Sequence, residues 1–179
     1  MSAIDDLLSA IPMDQLAGRL GVDPSTAEQA ARKTLPALLG GMEANAQDPA
    51  GAASLERAID GHDAGLVEGG VNLDRVDTGD GDKIVSNVFG PNRDQVVNQL
   101  GETGGGGDAS LVNKLLPVLA PIAMAYLAKQ VKQRGATSGG NGGGGLTDIL
   151  GSVLGGGGGG RGGLDVGGIL GGLLGGGKR

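Results

Sequence analysis

The sequence contains no cysteine and no tryptophan, and its 179 residues include one histidine (His62), one tyrosine (Tyr126) and one phenylalanine (Phe89). Without cysteine the chain cannot form disulfides or thiolate metal sites. A single histidine excludes a metal site with several histidines and a catalytic pair of imidazoles. Because these absences remove many enzyme classes, we expect a non-enzymatic protein that uses no cofactor and no metal.

Positive charge is also scarce. Met1 to Arg134 carries 18 acidic and 11 basic residues, whereas Gly135 to Arg179 carries two acidic and three basic ones. An acidic body repels the phosphate backbone, whose neutralisation by Lys and Arg supplies most non-specific nucleic-acid affinity. The first residues, M-S-A-I-D-D-L-L-S, are acidic where a secretory signal is basic, so we expect a cytoplasmic protein.

The longest apolar segment runs from Ser110 to Arg134 and predicts the central helix of the fold. Its apolar residues recur every three or four positions in two adjacent stripes, which indicates a helix covered on most sides. The uncharged stretch between Lys114 and Lys129 has fourteen residues. As a helix it would be about 21 Å long, shorter than a bilayer core of about 30 Å. We therefore expect a buried helix, kinked at Pro117 and Pro121, and no membrane span.

Self-comparison reveals an internal repeat. The segment Asp14 to Gly21 aligns with Asp94 to Gly101 at an offset of 80, with Asp-Gln, an apolar residue and Leu-Gly in the same places. An apolar helix candidate precedes each segment, and a helix containing Leu-Pro follows each. We therefore predict an all-α fold in which residues 1–134 form a duplicated helical bundle, with copies at about 4–46 and 84–134.

Local signals mark the elements between these repeats. Asp23-Pro24 predicts a capped helix start, and Gly40-Gly41 predicts a weakened helix end. Pro49 to Ile59 predicts another short helix. Residues 60–82 contain seven acids, one base and several glycines, which predicts a solvated acidic loop between the copies.

The segment 135–179 has a different composition, because 23 of its 45 residues are glycine. This composition predicts a disordered tail. Two apolar motifs interrupt it, Leu146 to Leu154 and Val166 to Leu174, and they align at an offset of 20. In a helix their apolar pairs would share one face, and both motifs are too short to span a bilayer. The predicted partner-binding residues are Ile149, Leu150, Val153, Leu154, Ile169, Leu170, Leu173 and Leu174.

A second interpretation concerns the first repeat, which has the outline of a helix-turn-helix. Met13 to Leu20 would be the first helix, Gly21 to Asp23 the turn and Pro24 to Leu35 the recognition helix. If the chain bound nucleic acid, the contacts would come from Ser25, Thr26, Gln29, Arg32 and Lys33. The acidic surroundings disfavour this alternative.

Two further clusters bear on chemistry. Asp74, Asp77, Asp80 and Asp82 lie close in sequence, but their spacing is wrong for an EF-hand calcium loop. His62 and Asp63 could form an acid–base pair, although no nucleophile lies nearby in sequence. We expect a solvated acidic surface at the first cluster and no catalysis at the second.

Five motifs of the sequence occur in a distinctive combination: L-G-V-D-P-S-T-A-E at Leu20 to Glu28, L-P-A-L-L-G-G at Leu35 to Gly41, G-D-K-I-V-S-N-V-F-G at Gly81 to Gly90, K-L-L-P-V-L-A-P-I-A-M at Lys114 to Met124 and G-G-L-L-G-G at Gly171 to Gly176. Together they resemble one bacterial family, the YidB-like proteins with a domain of unknown function (DUF937). The resemblance implies an all-helical, homeodomain-like domain and assigns no catalytic residue. Our expectation is an interaction or self-assembly protein that binds itself or another protein through its tail.

Overall fold

A computed structural model of the chain describes residues 3–102, 108–137 and 146–154. The described residues form α-helices joined by short turns and 3-10 segments, and they contain no β-strand, which confirms the all-α class. The helices are α1 (Ala3–Ala10), α2 (Met13–Leu20), α3 (Pro24–Ala46), α4 (Pro49–Gly61), α5 (Thr78–Phe89), α6 (Arg93–Glu102), α7 (Ala109–Thr137) and α8 (Leu146–Leu154).

Helix α7 is the centre of the bundle, as its two apolar stripes predict. It contacts α5, α3 and α6 extensively and also packs against α2, α4 and α8. Three side chains of these stripes have no exposed surface: Leu115, Leu119 and Ile122. The carboxylate of Asp108 accepts a hydrogen bond from the Leu111 N–H at 3.0 Å and so caps the start of α7.

Within the described ranges, Ala109–Gln133 is the one helical segment with the length and hydropathy of a membrane span, and 83% of its apolar window is buried inside the bundle. Central helices of globular proteins share these properties, so the finding does not locate the protein in a cell.

The prolines of α7 allow a close approach by α5. Pro121 has no N–H to donate to the carbonyl oxygen of Pro117, which therefore lacks its helical partner. Gly81 of α5 faces that oxygen: a Cβ placed on Gly81 would overlap it and would lie 2.7 Å from the carbonyl carbon of Pro117. Only glycine lets the two backbones pack this closely.

Helix α3 begins as predicted and ends later than predicted. The Asp23 carboxylate accepts a hydrogen bond from the Thr26 N–H at 3.1 Å, and Pro24 occupies the first turn. The helix continues through Gly40 and Gly41 to Ala46. The predicted weakening at the glycines does not end the helix because Leu38, Leu39 and Met42, which flank them, are completely buried.

The segment 60–82 differs from the predicted solvated loop in two ways. Helix α5 already begins at Thr78, and the apolar residues of the segment pack into the core. The acids cap turns, since Asp63 accepts from the Gly65 N–H at 2.9 Å and Asp77 accepts from the Gly79 N–H at 2.8 Å. The buried members are Ala64, Leu66, Val67, Val71, Leu73 and Val76.

The first apolar motif of the tail also belongs to the bundle. It forms α8, which packs mainly against α3 and also contacts α1 and α7. The prediction of a disordered tail is therefore wrong for Leu146–Leu154. Residues 138–145 and 155–179 lie outside the described residues, and with them Ile169, Leu170, Leu173 and Leu174.

Candidate docking surfaces

The surface that receives α8 is the clearest binding arrangement in the described part of the chain. Leu146, Ile149, Leu150 and Val153 are at most 7% exposed, and Leu154 is partly buried. A nine-residue helix is marginal by itself in water, so its apolar contacts with the bundle must stabilise it. Of the eight predicted partner-binding residues, three are thus buried within their own chain.

A second apolar surface is an open groove of about 510 Å³ between α3, α5 and α6, which we call the α3–α5–α6 groove. None of its lining residues is charged. Gly41 sits where α3 and α5 approach closely, because a Cβ there would lie 2.7 Å from both Val88 and Phe89 side chains. The lining residues are Ala37, Gly41, Ala44, Asn45, Val88, Phe89, Asn92, Val96, Gln99 and Leu100.

Sequence reasoning missed this groove. The repeat shows Val96 and Leu100 as apolar positions of a helix but does not show which of them the bundle covers. In the structure α6 buries Val97 and leaves Val96 and Leu100 only partly buried.

The polar residues of the helix-turn-helix outline are engaged with carboxylates. The hydroxyl of Thr26 donates to Asp23 at 2.7 Å, and the Ser25 hydroxyl also donates to Asp23. These two hydroxyl bonds and the Thr26 N–H hold the pKa of Asp23 well below its ordinary value.

Arg32 of the same outline lies between two acids. Its guanidinium is 3.0 Å from Glu28 and 3.1 Å from Asp5, and the hydrogen bond to Glu28 is the main cause of its raised pKa. Gln29 is exposed and Lys33 is half-buried. A phosphate would have to displace both carboxylates from Arg32, so nucleic-acid binding stays a prediction without structural support.

The four clustered aspartates do not converge on one point. Asp74 pairs with Arg19 at 2.6 Å, Asp82 pairs with Arg93 at 2.9 Å, and Asp77 caps α5. Asp80 lies 3.0 Å from Nε2 of His62. In residues 3–102, 108–137 and 146–154, no group of three or more His, Asp or Glu side chains is arranged to hold a metal ion.

His62 is turned away from Asp63. Its Nδ1 lies 2.6 Å from the Ala58 carbonyl oxygen, and its Nε2 faces Asp80. Asp63 instead pairs with Arg75 at 3.2 Å, and the Gly65 N–H is the main cause of its lowered pKa. The His62–Asp63 pair that the sequence allows is therefore not formed, and His62 links α4 to the first turn of α5.

Because the aspartates have separate roles, replacing them should lower the free energy of unfolding by different amounts. Replacing the cap Asp77 by alanine should lower the free energy of unfolding by about 1 kcal/mol. Replacing Asp74, whose surface pair with Arg19 is solvated, should cost about 0.5 kcal/mol or less. Thermal unfolding with and without Ca²⁺ checks this. Equal losses that appear only in Ca²⁺ would mean that the two carboxylates share a cation.

Comparison with curated proteins and with solved structures gives no match. A family model described as "Bacterial protein of unknown function (DUF937)" matches residues 4–130, which include α1 to α6 and most of α7. Since the match covers well over half of the sequence, the chain belongs to this bacterial family of unknown function, DUF937.

Proposed function

We propose that this chain is a non-enzymatic interaction and self-assembly protein, whose glycine-rich tail carries apolar motifs that dock as short helices on helical bundles. The observation that carries the proposal is α8. Its sequence, L-T-D-I-L-G-S-V-L, lies in a glycine-rich segment, yet its apolar face is buried against α3. This contact supports the view that the bundle is an acceptor for such motifs.

The free energy of docking α8 is a small difference between apolar burial and the entropy cost of ordering the helix. Each fully buried aliphatic side chain contributes about 1.5–3 kcal/mol, and ordering each residue costs about 1–2 kcal/mol. For four buried side chains and nine ordered residues these two contributions are of similar size, so the net free energy of docking is small. A contact of this strength can form and dissociate, as an assembly contact requires.

The second motif, Val166 to Leu174, has an apolar residue at every position where α8 has one. Its Gly167, Gly168 and Gly172 replace Thr147, Asp148 and Ser152 of the first motif. Each of these glycines weakens a helix by about 0.3–0.5 kcal/mol. The first motif should therefore occupy the surface that receives α8 in preference to the second motif. The second motif remains available for another acceptor.

We also propose that the bundle is a duplicated, helix-turn-helix-like unit. The aligned segments at Asp14 and Asp94 fall in α2 and α6, and each of these helices precedes a long helix with an internal proline. Between α2 and α3, Gly21 has a positive φ of 72° and its N–H bonds to Ala17, which makes a tight turn. Such a duplication would give the bundle two related apolar surfaces.

Assembly through the second motif can be measured by light scattering of the full-length protein over a concentration series. We expect the mass to rise with concentration and to persist in high salt, because salt strengthens apolar association. The double change Leu170→Ser and Leu174→Ser should abolish this rise. As a matched control, Lys178→Ser with Arg179→Ser changes the same tail without removing apolar groups and should assemble normally.

Two results would contradict the proposal. A monomeric mass at every concentration would exclude self-assembly under these conditions. Assembly that salt weakens, and that the Lys178 and Arg179 changes abolish, would indicate an electrostatic contact.

A further inference from the structure

The α3–α5–α6 groove is open, whereas the aligned surface of the first repeat is covered. Three apolar residues of the groove align, at an offset of 80, with three residues of α1 and α2. The side chains of those three residues in α1 and α2 are at most 8% exposed. In the groove the corresponding side chains are only partly buried. The corresponding pairs are Leu8 and Val88, Leu16 and Val96, and Leu20 and Leu100.

The chemistry of the groove fits an uncharged helix. One wall includes two small residues of α3, Ala37 and Ala44, beside which a helix backbone can approach closely. Only amides, those of Asn45, Asn92 and Gln99, supply polar side chains among the lining residues. Burying a charge against such walls would be costly. The segment Val166 to Gly177 contains no charged residue.

Helix α8 packs against α3 at the level of the groove but on a different face of α3. Gly151 of α8 faces Glu43 of α3, with 4.0 Å between a Cβ built on the glycine and the nearest carboxylate oxygen. The next residues of α3, Ala44 and Asn45, line the groove. Eleven residues separate Leu154 from Val166. A glycine-rich linker of that length spans about 17–20 Å on average and about 35–40 Å when extended, and a helix is about 10–12 Å wide.

We propose that the α3–α5–α6 groove holds the second tail motif, Val166 to Leu174, of the same chain, and that self-assembly exchanges this motif between copies. The inference rests on the proposed docking of tail motifs and names their second acceptor. A short tether keeps the motif at an effective concentration of the order of mM at its own groove. In an isolated chain the second motif therefore occupies the groove of its own bundle. As protein concentration rises, copies exchange this motif and so associate.

The absence of cysteine makes a disulfide test direct. In the full-length protein, Ala44→Cys places a thiol on the exposed wall of the groove, and Gly172→Cys places its partner in the motif. The matched control pairs Gly172→Cys with Gln29→Cys, an exposed position about 22 Å away along the same helix. A disulfide needs Cα atoms within about 7 Å, so rapid oxidation reports docking at the groove.

At low protein concentration, we expect the Ala44 pair to form an intramolecular disulfide at least about ten times faster than the Gln29 pair, because docking raises the local thiol concentration. The further change Leu170→Asp lies outside residues 3–154. Added to the Ala44 pair, it should reduce the rate of disulfide formation to that of the Gln29 pair. Val96→Asp in the groove should do the same, with helicity measured by circular dichroism to show that the bundle is intact.

Each outcome decides a separate point. Equal rates for the two pairs would overturn the groove as acceptor. A disulfide that joins two chains at low concentration would assign the groove to a second copy and overturn docking within one chain, while the proposed self-assembly would stand. An intramolecular disulfide in a protein that light scattering finds monomeric at every concentration would support the groove and contradict self-assembly.

Discussion

Replacing Gly81 by alanine is expected to lower the free energy of unfolding by about 2–3 kcal/mol. The added methyl would overlap the carbonyl of Pro117, and both groups belong to backbone that cannot move without separating α5 from α7. Overpacking of this kind costs about 1–3 kcal/mol or more, and the higher helix propensity of alanine offsets at most about 1 kcal/mol. Urea unfolding followed by circular dichroism measures the loss.

Gly18 provides the control for this change. It lies in α2, and a Cβ placed on it meets no atom within 4 Å. Gly18→Ala should therefore leave stability unchanged or raise it by up to about 1 kcal/mol, since only helix propensity changes. If Gly81→Ala behaved like Gly18→Ala, α5 and α7 would not approach as closely at Pro117 as described.

Shortening Leu119 to alanine should cost about 2–5 kcal/mol, because it leaves a cavity at the centre of the bundle. Leu119 is completely buried in α7, which contacts α3, α5 and α6. A domain of this size has a total stability of about 5–15 kcal/mol, so the variant should unfold at much lower urea concentration. The slope of the unfolding transition should stay the same if only the native packing is weakened.

Leu154→Ala is the comparison for Leu119→Ala. Leu154 is the last residue of α8 and is only partly buried, so the same chemical change should cost clearly less. Similar losses at both positions would mean that α7 is not the centre of the packing.

The features predicted correctly from the sequence depend on local signals. Helix α2 has the predicted bounds because Pro12 precedes it and Gly21 ends it in a left-handed conformation. Two apolar stripes predict helix α7. A helix can be recognised from such stripes without knowing which distant segments pack against them. The family assignment rests on residues of these same helices and turns.

The features that were missed depend on how distant segments pack. Glycines are frequent around Leu150, and composition alone gives no sign that α8 packs mainly against α3 with Leu150 completely buried. The acids of 60–82 indicate solvation, whereas Asp63 and Asp77 cap the start of a 3-10 turn and of helix α5. The groove lies between α3, α5 and α6, and repeat spacing does not encode how these three helices pack.

The central position of α7 has a consequence for biosynthesis. Among the described helices, α1 to α6 all precede α7 along the chain, yet five of them, α2 to α6, pack against it. Domains fold during translation at about 5–20 residues per second, starting from the amino-terminal end. Here the ribosome must release nearly all of the described bundle before its core can close, so we expect the nascent chain to expose apolar helix faces for several seconds.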